Sequence, residues 1–145
     1  MVFDGTYREV LALLEEAREL AATRRGAGVP GGEGLSGEKL YRSMMIRLEA
    51  SCEAFRVTSR LSHCLAWVMV QRAIQEGELS HDAALDPRNR LDGGPVCLEL
   101  GGEANPYLPQ RLRALLAASR KLYARLARLD ARVSSSASAA VAPAE

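Results

Sequence analysis

Lysine is almost missing from this chain: of 19 cationic residues only Lys39 and Lys121 are lysine, a bias of base composition more than of function. Aromatics are few, at 5%, and the three cysteines, Cys52, Cys64 and Cys97, fall at irregular spacing. An odd cysteine count argues against a disulfide scaffold and for a reducing cytoplasm. Long apolar runs are missing too. Between Arg60 and Arg72 lie eleven uncharged residues, with Trp67 to Val70 apolar in a row, well short of the roughly 20 that span a bilayer. The opening MVFDGTYREV has no cationic end followed by an apolar run, so no signal peptide is expected. Net charge is only +1, which gives no global pull toward nucleic acid or anionic lipid.

Catalytic and metal signatures are also lacking. There is no GxSxG, no Walker loop and no HExxH. The pairs Gly31-Gly32, Gly93-Gly94 and Gly101-Gly102 lack the strand–glycine–helix setting of a phosphate loop and read as loop punctuation. His63, His81 and the cysteines never form the short paired spacings that a zinc site needs. No catalytic residue, no metal ligand and no cofactor site is therefore expected.

What is present is helical patterning in a chain large enough for one domain with a real core. From Asp4 to about Arg24, Tyr7, Val10, Leu11, Leu14, Ala17 and Ala21 recur at helical spacing. RRGAGVPGGEGLSG, six glycines and a proline in fourteen residues, then breaks the pattern as a flexible connector. With Ser36 as N-cap, a second helix of about 40 residues, roughly 60 Å, runs to Glu76, with Gly77 as its stop. A loop follows from His81 to Pro106, with a short helical turn after Ser80 and VCLEL as a brief extended piece. The third helix begins near Tyr107 to Pro109 and carries Leu112, Leu115, Leu116, Ser119, Leu122, Tyr123, Leu126 and Leu129. SSSASAAVAPAE has no core-forming pattern and reads as a disordered tail. There is no internal repeat. Residues 4–23 carry two arginines against five acids, and residues 107–133 seven cations against Asp130, so the outer helices attract. The expected fold is all-α: a three-helix bundle with a long central helix over 1–133, glycine-rich loops, and a disordered tail over 134–145.

The second helix carries two apolar faces. A 3-4 seam runs through Tyr41, Met45, Leu48, Cys52, Phe55, Ser59, Ser62, Ala66, Met69 and Ala73, and suits near-parallel helix packing. A second face holds Val57, Leu61, Cys64, Leu65 and Val68, with Trp67, Val70 and Ile74 beside it. A helix apolar on nearly all sides must be covered on nearly all sides. The expected cover is a second copy of the chain, with Leu61, Cys64, Leu65, Trp67, Val68, Val70 and Ile74 as dimer interface or core and Trp67 as an anchor. The alternative cover is the connector loops folding back as a lid.

TSRLSHCLAWVMVQRAIQEGELS resembles the signature segment of the RcdA family, the alphaproteobacterial regulators of CtrA degradation. The matching features fall on Thr58, Arg60, Leu61, Trp67, Gln71, Arg72, Ala73, Glu76, Gly77 and Glu78. FDGTYREVLALLEEAREL is similar to that family's opening helix and LPQRLRALLAASRKLYARLARLD to its closing one. The ordered set covers about two-thirds of the chain. The resemblance implies a dimeric, non-catalytic adaptor of the ClpXP protease in cell-cycle control. Its expected partners are a CpdR-like regulator, a cyclic-di-GMP-binding PopA-like protein and a CtrA-like substrate, met in the cytoplasm at the cell pole. Raising substrate concentration at a protease needs two separable surfaces. One is expected at Gln71, Arg72, Glu76 and Glu78, where the apolar helix meets its exit loop, and another at Arg113 and Arg120 on the third helix. The competing reading is a structural or DNA-associated dimer using the basic third helix, whose arginines spread over much of the polar circumference instead of one face.

Overall fold

A computed structural model describes residues 2–26, 36–91, 94, 97 and 101–141. Three helices, α1 (Asp4–Gly26), α2 (Gly37–Gln75) and α3 (Gln110–Val141), each pack against the other two. Short 3-10 turns at His81–Leu85, Pro87–Asn89 and Gly102–Ala104 line the path from α2 to α3. No strand occurs among the described residues. Residues 27–35 of the glycine connector, most of VCLEL and residues 142–145 lie outside that description.

Apolar periodicity explains the packing. Val10 and Leu20 of α1, Val57, Leu61, Cys64, Trp67 and Val68 of α2, and Leu112, Leu116, Leu122 and Leu126 of α3 form one buried core. Each large side chain so buried contributes about 1.5–3 kcal/mol of transfer free energy. Phe3 closes one end, its ring edge-on to Trp67 with centroids 5.5 Å apart. A smaller cluster joins Ile74, Ala84 of the first 3-10 turn and Ala137.

Ends follow local chemistry. Ser36 occupies the N-cap position with extended backbone, but its hydroxyl makes no capping bond. α2 stops in a Schellman motif: the Gly77 N–H donates to the Ile74 carbonyl at 3.2 Å and the Glu78 N–H to that of Ala73 at 2.9 Å. Gly77 has φ of 80°, where a Cβ is penalised. Pro109 directly precedes α3, as its missing N–H allows.

The tail is a correction. α3 does not end near Val133 but continues to Val141, and Ser134 and Ala137 are buried. Alanine has the highest helix propensity, and Ala137 reaches the Ile74 cluster, so small residues suffice where the neighbour is close.

Candidate functional site

The inward side of α2 holds a polar frame as well as apolar residues. Arg60, only 1% exposed, donates from Nε to the Cys97 carbonyl at 2.8 Å and from Nη1 to the Leu116 carbonyl at 3.1 Å. Burial, and then the nearby Arg56 charge, lower its pKa. Trp67 Nε1 donates to Asp130 Oδ1 at 3.0 Å, while Arg90 Nε donates to Asp130 Oδ2 at 2.9 Å. Asp130 thus ties α2 and the exit loop to α3. Burial pushes the Cys64 thiol up to about 12, with Cys97 adding to the effect, so it is an inert core group.

This placement decides between the two roles, dimer interface or core, that the second face of α2 could have. Leu61, Cys64, Trp67, Val68 and Ile74 are buried within a single chain, so they are core and cannot anchor a second copy. Leu65 and Val70 are half-buried against the same clusters. The 3-4 seam is instead the outer face. Eight of its ten positions are exposed, Ser59 and Ala73 being half-buried. Phe55 is 74% exposed, Tyr41 66%, Leu48 56% and Met69 55%. Exposed apolar patches of this extent mark interaction sites.

Beside the seam lies an apolar groove of about 820 Å³, with Leu20 of α1, Ile46 and Ala54 of α2 and Leu112 of α3 among its walls. Phe55 and Tyr107 stand at it as exposed aromatics, and Arg24 and Arg47 add cationic groups. Arg24 Nη1 also donates to the Ala50 carbonyl at 3.2 Å. The groove was not foreseen, since its walls come from three helices distant in sequence. The one signal was Phe55, a large aromatic directly before the small Ser59, Ser62 and Ala66 of the seam.

The expected polar surfaces are only partly surface. Gln71 is buried, at 4% exposure, and faces the core. Arg72 stacks over Tyr7, its guanidinium 4.5 Å from the ring centroid, and pairs with Asp4 at 3.5 Å and Glu76 at 4.0 Å. It therefore fastens α1 to α2. Glu76 and Glu78 are exposed. Arg113 is half-buried, and Arg120 forms a two-pronged pair with Glu103, whose hydrogen bonds hold the Glu103 carboxyl below its ordinary range. Arg111 and Arg125 face Glu19 and Glu9 of α1, the attraction that the charge pattern implied. Among the described residues no three of His, Cys, Asp and Glu gather to hold a metal, and no described helix is long and apolar enough to cross a membrane.

The described residues thus form an all-helical bundle with an exposed apolar face on α2 and a groove beside it. The whole chain, residues 1–145, matches one family model, described as a protein of unknown function (DUF1465), and the chain belongs to that family. No curated protein and no solved structure matches it.

Proposed function

We propose that this chain is a non-catalytic adaptor of the RcdA kind, serving ClpXP-dependent proteolysis in the cytoplasm at the cell pole. In this reading it works with a CpdR-like regulator and a PopA-like protein to deliver a CtrA-like response regulator. The supporting observation is the exposed apolar surface of α2 and the groove beside it: Phe55 and Tyr107, both at least 70% exposed, are the kind of aromatic that anchors a protein partner. Adaptors act by raising local substrate concentration, which asks for binding surfaces and no reacting groups. The DNA-associated alternative has less support, because Arg111, Arg120 and Arg125 already face carboxylates.

Reconstituted degradation tests the proposal. At sub-saturating substrate the chain should accelerate ClpXP turnover of a CtrA-like regulator about tenfold or more, given CpdR-like and PopA-like proteins. Ile46→Asp and Tyr107→Ala, in the groove and off the seam, should lose that acceleration while helicity is kept. Wild-type protein without effect on turnover overturns the proposal.

A further inference from the structure

The groove beside α2 carries charge of one sign only. Its described walls include two guanidiniums, Arg24 of α1 and Arg47 of α2, and no carboxylate. Neither cation faces an acid elsewhere among the described residues, Arg24 donating instead to the Ala50 carbonyl. Arg47 lies three residues before Ala50, so the two cations mark the same end of the groove. The acids on this stretch of α2, Glu49 and Glu53, line a separate hollow with Gly102 and Asn105. Arg111, Arg120 and Arg125 are answered by glutamates of this chain; Arg24 and Arg47 are left for something else.

The shape of the groove says what. Leu20, Ile46, Ala54 and Leu112 bring apolar walls from three helices, and the channels between helical ridges accept another helix. No strand edge exists among the described residues on which an extended peptide could add itself. A volume of about 820 Å³ takes a few large side chains, the contribution of one helix face at i, i+3 or i+4, and i+7. Arg24 reaches α2 at Ala50 and α1 ends two residues later, while α2 extends back to Gly37, about 20 Å further. The groove therefore opens onto a length of helix that has no buried residue, which gives an incoming helix a rail to lie along. Two cations are too few for a phosphate backbone, whose binders neutralise several charges at once. We propose that the groove takes an amphipathic helix from a protein partner, apolar on its buried side and carrying carboxylates beside its anchors to meet Arg24 and Arg47. The inference rests on the adaptor reading for having a partner at all, and adds what the partner's docking segment is made of.

Two labelled synthetic helices test this on the full-length protein by fluorescence anisotropy. Both carry leucines at i, i+3, i+4 and i+7; one has glutamates on its flanks and the other lysines. The acidic helix should bind at least about tenfold tighter. Arg47 is exposed, so Arg47→Glu leaves the core untouched, and it should turn the preference toward the lysine helix. Ile46→Asp should weaken the acidic helix at least about tenfold with helical circular dichroism unchanged. Equal affinity for the two helices overturns the proposal, as does a preference that Arg47→Glu does not move. An acidic helix held as firmly with its leucines replaced by serines overturns it too. Dodecanoate that binds where neither helix does gives the groove to an acyl chain, and overturns it again. Reconstituted degradation separates this inference from the adaptor role. A chain that speeds ClpXP turnover but ignores the acidic helix keeps the role and overturns the inference. A chain that takes the helix as described and speeds nothing upholds the inference and overturns the role.

Discussion

Asp130 is one carboxylate with two obligations, to the Trp67 indole and to Arg90. Its removal strands a buried donor and a partly exposed cation together. Asp130→Ala should cost about 2–4 kcal/mol, read as a lower urea midpoint with an unchanged slope, and Asp130→Asn should cost less because the amide oxygen still accepts from the indole. At this scale the sequence was partly legible. Arg60 looked like the border of an uncharged run, yet it shares a helix face with Val57, Leu61 and Cys64, and that phase marks a buried arginine. Asp130 sits one turn beyond Leu126 on the buried stripe of α3. Reading it only as a charge hid its position. Gly102 was opaque by contrast: a Cβ there would lie 2.6 Å from Glu53 Oε2 and 2.7 Å from Leu116 Cδ1, an approach that only the folded chain creates.

At the scale of elements, periodicity announced all three helices, and Gly77 announced the end of α2. Gly77→Ala should destabilise the protein by about 1–2 kcal/mol, the cost of holding a side chain in the left-handed region, measurable by thermal unfolding. Periodicity did not say which face of α2 looks inward. The reason lies in arc width. A helix packed against two neighbours needs a broad stripe, about three residues per heptad, and Val57, Arg60, Leu61, Cys64, Trp67, Val68 and Gln71 provide it. A strict two-per-heptad seam suits one partner only. The neater pattern was therefore the outer one. The tail was misread for a related reason: its alanines and serines offer little apolar area, but a neighbour as close as Ile74 needs little.

For the molecule as a whole, charge and burial divide the work. The acidic α1 lies against the arginines of α3 through Glu9–Arg125 and Glu19–Arg111, exposed pairs of small individual worth. The Glu103–Arg120 pair makes one pH consequence definite. Because the folded carboxyl titrates below its ordinary value of 4.5, its stabilisation is complete above that value and fades as pH falls through the lowered one. Wild type should therefore melt slightly above Glu103→Gln at neutral pH, and acid titration should close the gap; a gap that widens in acid would contradict this assignment.

The early part of α2 has a further consequence. No residue of this helix before Ala50 is buried, so its first three turns draw little support from the body of their own chain. Local opening is cheapest where tertiary contacts are fewest, and Tyr41, Met45 and Leu48 on those turns are exposed. Amide exchange over residues 37–49 should then be faster than exchange around Leu61 and Val68, whose side chains are buried. Those turns are where the bundle would come undone first, leaving its core closed.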